Sequence, residues 1–411
     1  MTKTDIGFSE AFQLVMAHVS TIGTESIPID NAAGKVAAQD IFALIDSPSV
    51  DVSLKDGYAV ISNDISGASI DRPVKLKVIE TVAAGGKSGH CLRSGETIRI
   101  LTGAPLPSGA QAVLAEEYTA ENVDFIDAQA DAHPGRNVLE KGADVKKGHV
   151  LVKAGIRLTP QSVGLLVAGG VLEVKVYRKP KIGLLATGSE VIMPGQTMLP
   201  GKVFASNVFF QKSWLVMLGF DVRVLSAIDS VDQSAEALID LSEKCDVVIT
   251  SGGAWKGDRD LIAKVIRSLG GELVFHRLRL VPGKATGMGS INTAKVFCLS
   301  GGPAANMFGF VMLALPALYK MSGIKSLPFQ SFKGILGKEI SGEKDWTNLV
   351  QCQIVKNGSD ILLSPRRMKS RLISMATNHA IVVIPEGVEK FKAGDTVPFI
   401  CLDTDLFAFQ I

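Results

Sequence analysis

The chain has 411 residues, and its 43 Lys and Arg nearly balance its 41 Asp and Glu, which leaves a formal net charge of +2. Hydrophobic residues make up 46% and charged residues 20%, as in ordinary globular proteins, and the length predicts about two to four domains. The charges are mixed along the sequence without a basic tract, so a nucleic-acid partner is not expected. The five cysteines include no C-x-x-C pair, which predicts reduced thiols in a cytoplasmic protein and no structural zinc.

Neither a secretory signal nor a membrane span is predicted. The N-terminus lacks the basic-then-apolar pattern of a signal sequence. The most apolar stretch, Met307 to Leu318, is shorter than a membrane span and contains Pro316. This stretch predicts a buried or interface helix.

The first half of the chain predicts a helix followed by a small all-β module. Apolar residues recur at helical spacing over 7–20, and residues 57–145 alternate β-branched runs with glycine turns. Two turns carry polar residues at their heads, Asp56-Gly57 and the proline-rich stretch Thr102 to Pro107. On sequence alone, turn chemistry explains both. A further helix is predicted over Pro160 to Ala168.

From residue 178 the pattern changes to regular alternation of strands and helices. This alternation predicts a doubly wound α/β domain over 178–326. The predicted strands are 182–186, 222–227, 247–249, 272–276 and 296–299, and the helices between them are 207–218, 234–244 and 261–269, with a last helix ending near Met321. Residues 327–411 are again rich in strand patterns, and Lys356-Asn357-Gly358 predicts a hairpin turn.

The stretch from Cys245 to Asp260 combines a buried strand, a glycine turn and the start of a helix. That arrangement is typical of an anion site, because helix N-termini offer unpaired N–H groups. The turn also carries Asp258 and Asp260, which would repel an anion unless a divalent cation lay between them. Two interpretations are open from this stretch alone: a phosphorylated ligand held with a metal such as Mg²⁺, or acids that only cap the helix.

Neighbouring strands favour the ligand site. Glu190, Asp229 and Lys284 also follow predicted strands, so they belong to the same edge of the sheet as the Asp258/Asp260 pair. Carboxylates clustered with a lysine suit a metal-bridged phosphate or oxyanion. The G-x-G-x-x-G fingerprint is absent, which argues against a nicotinamide site.

Several of these segments together resemble the motifs of one family, the molybdopterin molybdenumtransferases of the MoeA type, which include the E domain of gephyrin. The resemblance spans essentially the whole chain and keeps the motif order. The family's SAMDGYA, TGAPLP, RPKVAILSTGDE, SGGVSVGDYD, KPGKP, IPEG and AGD are similar to Ser53–Ala59, Thr102–Pro107, Lys179–Glu190, Ser251–Asp260, Val281–Ala285, Ile384–Gly387 and Ala393–Asp395.

The resemblance implies an architecture of four domains and a homodimer. The expected domains are a split first domain (1–50 with 146–177), an inserted small β domain (51–145), a MogA-like molybdopterin-binding α/β domain (178–326) and a C-terminal β barrel (327–411). The implied reaction inserts molybdate into adenylylated molybdopterin, with hydrolysis of the adenylate and assistance from Mg²⁺. The implied site lies between two subunits.

The resemblance also implies a role for each matching residue. Asp56 and Thr102 would come from the partner subunit, and Glu190, Asp229 and Asp260 would handle metal, molybdate or water. The expected ligand-binding residues are Ser251, Gly252, Gly253, Asp258, Lys284, Gly301, Pro303 and Ser370.

The sequence departs from the family pattern at several anion contacts and loop stiffeners. Trp255 and Lys256 stand where small or apolar residues are expected, and Val281 replaces the first lysine of KPGKP. The family's LPGNPVS is reduced to the sequence LSGGPAA at 299–305. Lys256 and Arg259 are expected to restore positive charge. The departures keep a second interpretation open, a non-catalytic paralogue that binds a molybdopterin-like ligand or a protein.

Overall fold

The computed structural model describes residues 2–228, 230–253, 261–358, 360–365 and 371–402. The chain forms two compact units, the first made of Met1–Thr24 with Tyr177–Ile411 and the second of Glu25–Val176. The finer division into four domains stays a prediction. Each unit is built around its own buried apolar clusters.

The helices and strands follow in chain order. The helices are α1 Phe8–His18, α2 Pro160–Ala168, α3 Ser206–Met217, α4 Val231–Lys244, α5 Leu261–Ser268, α6 Pro303–Gly309, α7 Leu315–Met321 and α8 Arg371–Thr377, with a π-helical turn at Phe310–Ala314 and 3-10 turns at Ile29–Asn31, Ser62–Ile65 and Glu116–Tyr118. The strands are β1 Lys3–Gly7, β2 Thr24–Pro28, β3 Ile41–Phe42, β4 Val52–Ser53, β5 Gly57–Val60, β6 Val74–Val82, β7 Glu96–Ile100, β8 Ala112–Ala115, β9 Thr119–Glu121, β10 Phe125–Ala128, β11 Val138–Leu139, β12 Val150–Val152, β13 Glu173–Tyr177, β14 Ile182–Thr187, β15 Val191–Ile192, β16 Val203–Phe204, β17 Val222–Ala227, β18 Val247–Ser251, β19 Glu272–Val281, β20 Gly287–Ile291, β21 Ala294–Leu299, β22 Ser331–Leu336, β23 Ile340–Ser341, β24 Thr347–Asn357, β25 Asp360–Pro365, β26 Ala380–Ile384, β27 Lys390–Phe391 and β28 Thr396–Cys401.

The first unit contains the doubly wound α/β sheet that the alternating pattern predicted. Its strands run in the order β17, β14, β18, β21, β20, β19. The first four are parallel to one another, and β20 is antiparallel to both of its neighbours. Because side chains alternate across a strand, Leu184 and Ala186 pack in one core while Leu185 packs in the other. Helix α3 covers the first face and helix α4 covers the second.

Strands β19 and β20 differ from the prediction. The sequence predicted a strand ending at His276, whereas β19 continues to Val281 with Leu278 and Leu280 buried. Strand β20 escaped prediction because Gly287 and Gly289 weaken its strand pattern. A Cβ on Gly289 would lie 2.4 Å from the carbonyl oxygen of Glu272, so the close approach of the two strands requires glycine there.

The apolar stretch near residue 310 forms a buried helix, as predicted. The run Pro303–Met321 is long and apolar enough to cross a membrane by length and composition alone, but 78% of it is buried inside the protein. Phe310, Leu313 and Leu318 are fully buried in the core that includes helix α1. The run is therefore a core helix of the α/β sheet.

The C-terminal part of the first unit is a closed β barrel. Strands β24, β25, β22, β28 and β26 are hydrogen-bonded in that order, and β24 pairs with β26 to close the circle. Leu363, Val382 and Phe399 are buried in its interior. The predicted hairpin at Lys356 to Gly358 joins β24 to β25, with Asn357 opposite Asp360.

The second unit is built mainly of strands. Its main sheet has the order β8, β5, β7, β6, β10, β9, and two buried clusters cover its faces. Short two-stranded ribbons and helix α2 surround a third cluster. Helix α2 begins where the sequence predicted, because Thr159 caps it by accepting a hydrogen bond from the Ser162 amide and Pro160 fixes the first turn.

Candidate functional site

A cavity of about 810 Å³ lies at the carboxyl ends of strands β14, β18 and β21 in the first unit. Parallel α/β sheets bind ligands at this edge, because the connecting turns gather there. The lining residues are Ala186, Thr187, Gly188, Glu190, Val191, Val203, Phe204, Ala205, Ser206, Asn207, Val208, Ser251, Gly252, Gly253, Leu261, Ala285, Ser300, Gly301, Gly302, Pro303 and Leu372.

The glycine turn after β18 lies directly against the end of β14. Gly252 has φ +99° and Gly253 has φ +66°, both in the region that favours glycine. A Cβ on Gly252 would lie 2.4 Å from the carbonyl oxygen of Thr187, and one on Gly253 would lie 2.8 Å from Ile262 Cγ1. The amide of Gly252 also donates to the carbonyl of Leu299, at 3.1 Å. The two glycines therefore shape this wall of the cavity.

Ser251, the last residue of β18, is held by two asparagines. Its Oγ accepts hydrogen bonds from Asn207 Nδ2 at 3.2 Å and from Asn306 Nδ2 at 3.0 Å. Asn207 also donates to the carbonyl of Gly301 at 2.8 Å, and Asn306 to the carbonyl of Ser300 at 2.9 Å. The side-chain amides of Asn207 and Asn306 thus connect the end of β18 to the turn that follows β21 through hydrogen bonds.

The turn after β21 leads into the N-terminus of helix α6. Gly301 and Gly302 carry no side chains, and Pro303 occupies the first turn of the helix, so backbone groups face the cavity. The Arg371 guanidinium lies 3.8 Å from where a Cβ on Gly302 would be. A helix N-terminus beside a guanidinium favours an anionic ligand.

Glu190 is the carboxylate that lines the cavity within the described part of the chain. It is exposed, and its main-chain carbonyl accepts a hydrogen bond from the Val203 amide at 2.9 Å. No cluster of three or more His, Cys, Asp and Glu side chains suited to a metal occurs among the described residues. Asp229, Asp258 and Asp260, which the sequence placed at this edge, lie outside the described residues, as does Ser370.

Lys284 stands next to the cavity lining and contacts an aromatic ring. Its neighbour Ala285 lines the cavity, whereas the exposed Lys284 is not among the lining residues. The Lys284 ammonium lies 4.5 Å from the centroid of the Trp346 ring, within the range of a cation–π interaction. Trp346 lies just before strand β24 of the barrel.

In the second unit, the structure pairs Asp56 with Thr102. Asp56 Oδ1 accepts hydrogen bonds from the Thr102 hydroxyl at 2.7 Å and from its amide at 2.6 Å. The hydroxyl bond, followed by the amide bond, lowers the pKa of the exposed Asp56 carboxyl. Gly57 packs so tightly against β8 that a Cβ would lie 2.1 Å from the carbonyl oxygen of Leu114. The Asp-Gly turn therefore holds an ionised carboxylate in a fixed position.

Family models match most of the chain. Residues 6–170 match the MoeA N-terminal region (domain I and II), and residues 183–320 match a probable molybdopterin binding domain. A crystal structure of a molybdopterin biosynthesis MoeA protein from Pyrococcus horikosii superposes with a TM-score of 0.86 at 32% sequence identity, covering 97% of this chain and 99% of that one.

The chain belongs to the MoeA family.

Curated MoeA relatives match over the same full length. A molybdopterin molybdenumtransferase of Staphylococcus aureus (strain COL) is 29% identical over 406 residues, which cover 98% of this chain and 97% of the relative. One from Staphylococcus epidermidis is 29% identical over 412 residues and covers 100% and 98%. The predictions of the family, of its fold and of a place in molybdenum cofactor biosynthesis are confirmed.

Six of the predicted site residues of this MoeA chain line the one cavity: Glu190, Ser251, Gly252, Gly253, Gly301 and Pro303. Asn207 and Asn306 were missed, although they make the hydrogen bonds that order the wall. Asn207 is in the first turn of α3 and Asn306 in the first turn of α6. A search for amides in the first turns that follow strand ends would have found both.

Proposed function

We propose that the chain is a molybdopterin molybdenumtransferase, which inserts molybdate into the dithiolene of adenylylated molybdopterin and hydrolyses the adenylate. The single observation that supports this best is the cavity at the strand ends, whose Ser251–Gly253 turn matches the start of a family motif in a chain related to MoeA proteins over its full length. Its backbone-lined wall and its helix N-terminus suit a phosphorylated ligand.

The described residues contribute to ligand binding in two ways, by leaving space for the ligand and by placing positive charge near it. Gly252, Gly253 and Gly301 let the ligand approach the backbone closely, because they place no side chain in the cavity. Lys284 supplies a positive charge near Ala285, and Arg371 supplies one near Gly302. We propose that Ser370, next to Arg371 in the chain, also touches the ligand.

We infer that Glu190, Asp229 and Asp260 hold Mg²⁺, and we propose that Asp258 belongs to the ligand-binding residues. Thr187 of β14 is level with Ala227 of β17, and Ala186 is level with Ser251 of β18. The segments that carry the three acids therefore leave or rejoin the sheet at one edge, and carboxylate oxygens suit a hard cation. When bound, Mg²⁺ would offset the negative charge on the phosphoanhydride.

We propose further that the protein is a cytoplasmic homodimer with the four domains predicted above, without a nucleic-acid or membrane partner. In this proposal the site is completed by Asp56 and Thr102 of the second subunit. The hydrogen bonds that the Asp56 carboxylate accepts from the described residues both end on Oδ1, so Oδ2 is left to orient a water or a ligand group.

The test is molybdate-dependent conversion of adenylylated molybdopterin by the purified protein with Mg²⁺. We expect release of AMP together with formation of molybdenum cofactor, and both products are to be measured in the same reaction. A protein that binds the substrate without turnover, and does not rescue a strain lacking the insertion enzyme, would contradict the transferase proposal.

The second candidate is a non-catalytic paralogue that binds a molybdopterin-like ligand or a protein. The observation that favours it is the altered turn LSGGPAA, in which Ser300, Gly302 and Ala305 replace a proline, an asparagine and a serine of the family pattern. Two of these positions, Ser300 and Gly302, line the cavity. Restoring the family residues distinguishes the candidates. If the triple variant gains turnover that the wild type lacks, the wild type is the paralogue.

A further inference from the structure

The side-chain amides around Ser251 have orientations that their partners determine. A backbone carbonyl only accepts hydrogen bonds, so the atom that contacts the carbonyl of Gly301 must be Nδ2 of Asn207. By the same reasoning, the atom of Asn306 that contacts the carbonyl of Ser300 must be Nδ2. In this orientation, Oδ1 of Asn306 accepts a hydrogen bond from Gln211 Nε2 at 2.7 Å.

These orientations leave one hydrogen of each amide for the Ser251 hydroxyl. An NH₂ group has two hydrogens, and each amide uses one of them on a carbonyl. The remaining two both point at Ser251 Oγ, which has two lone pairs. The oxygen is thereby saturated as an acceptor, and its own hydrogen cannot point toward either asparagine.

The Ser251 hydroxyl has no acceptor among the described residues. Its recorded hydrogen bonds are those in which Oγ accepts. Ser251 is only 6% exposed and lines the cavity, so a ligand in the cavity is within reach of its hydroxyl group. A buried donor without a partner is costly, and a ligand that supplies an acceptor removes that cost.

Resting on the proposed function, we propose that Asn207 and Asn306 are positioning residues that make Ser251 an obligatory hydrogen-bond donor to an acceptor oxygen of molybdopterin. Two oxygens of that ligand class, a phosphate oxygen and the pterin carbonyl, share the required chemistry. The cavity wall then rejects ligands that present a donor at this point, because two donors would face each other.

Binding of molybdopterin to the full-length protein tests the inference. Ser251→Ala removes the donor, and we expect Kd to rise about tenfold, the scale of a hydrogen bond to a charged group. Asn306→Asp keeps the shape of the side chain but replaces its NH₂ group by an oxygen that accepts hydrogen bonds. The Ser251 hydroxyl then donates to this oxygen and no longer to the ligand. Asn207→Asp makes the same change at a half-buried site, should Asn306→Asp fail to fold.

A double-mutant cycle separates positioning from a structural role. If the asparagine acts through Ser251, most of the effect of Asn306→Asp or Asn207→Asp disappears in the Ser251→Ala background. Additive effects would overturn the inference. Thr250→Val is the control, because the Thr250 hydroxyl is fully buried next to Ser251 in the chain and has no hydrogen-bond partner among the described residues; we expect an unchanged Kd.

Dephosphorylated molybdopterin identifies the acceptor. If dephosphorylated molybdopterin also binds more weakly to the Ser251→Ala variant than to the wild type, the pterin carbonyl is the acceptor. If it binds equally well to both, the phosphate is the acceptor. Neutron diffraction of the ligand-free protein is independent of function, with the Ser251 deuteron expected to point away from both asparagines. A deuteron on the line to either amide would overturn the inference, whereas a wild type that binds no molybdopterin would contradict only the proposed function.

Discussion

The cavity wall of the first unit and the Asp56 turn of the second unit hold their polar groups in different ways. The part of the wall formed by Ser251–Gly253 and Ser300–Pro303 carries glycines and neutral side chains, and Ser251 and Asn306 are buried there. The Asp56 turn is exposed and charged, and a single threonine holds its carboxylate. Buried neutral groups keep a fixed geometry without a desolvation penalty for charge, whereas the exposed carboxylate remains ionised in water. We infer that the wall determines which ligand fits and the turn contributes to the chemistry.

The largest effect is expected from a side chain on Gly252. Gly252→Ala places a Cβ 2.4 Å from the carbonyl oxygen of Thr187 at φ +99°, so two well-packed strand ends have to separate. We expect a loss of about 3 kcal/mol in the free energy of unfolding, the upper range for a strained backbone position, together with loss of ligand binding. Urea unfolding and ligand titration measure the two effects.

Gly195→Ala is the matched control for this change. Gly195 has a similar φ of +95°, but no atom of the described residues lies within 4 Å of the added Cβ. We expect about 1 kcal/mol, the cost of the backbone conformation alone. Equal losses for the two variants would show that close packing at Gly252 contributes nothing.

In the Asp56 turn, the change with the largest effect should alter activity rather than stability. Asp56→Asn keeps the shape and an oxygen that accepts from Thr102, but removes the charge. We expect transferase activity to fall about 100-fold, the lower range for loss of a group that acts on a proton, with little change in urea unfolding. Asp64→Asn is the control, because Asp64 also accepts two hydrogen bonds, from Ser94 and Gly95, and has no proposed role in the site. Similar losses for both variants would contradict the assignment.

The difference between the two regions also explains what the sequence could predict. The Asp56–Thr102 pair and the glycine turns belong to contiguous motifs, so their resemblance to the family located them. Asn207 and Asn306 lie 99 positions apart and meet only because α3 and α6 both begin at the cavity. Their partners are a serine hydroxyl, two carbonyl groups and the Gln211 amide, none of which leaves a pattern in the sequence.

The fold was predictable where a local pattern dominated. Local apolar patterns located α2, β14, β17 and the core helix near residue 310. Strand β20 was missed because tertiary packing selected Gly287 and Gly289 over residues that favour strands. Closure of the barrel through the β24–β26 pair joins residues more than 25 positions apart, so only the resemblance predicted it.

A smaller effect is expected from the cation–π contact that positions the Lys284 ammonium beside the cavity. Trp346→Leu removes the ring under the Lys284 ammonium, while Trp346→Phe keeps an aromatic face. An exposed cation–π interaction contributes about 0.5–1 kcal/mol, so we expect KM for molybdate to change about two- to fivefold in the leucine variant. The phenylalanine variant should recover most of this change, with kcat unaltered in both. An equal KM shift in the two variants would show that the ring acts through packing instead.

The smallest effect concerns the pH dependence of the Asp56 turn. The Thr102 hydroxyl and amide lower the pKa of Asp56 below 3.8, so ionised Asp56 stabilises the folded state at pH values above 3.8, and this contribution is lost as the pH falls through the folded-state pKa. Thr102→Val removes the hydroxyl bond and retains the amide bond, so the pKa of Asp56 should rise toward its usual value. The stability difference between wild type and variant should therefore be present at pH 6 and shrink at pH 3, as measured by urea unfolding. A difference that stays constant between these pH values would mean that the threonine stabilises the turn through packing and not through the carboxylate.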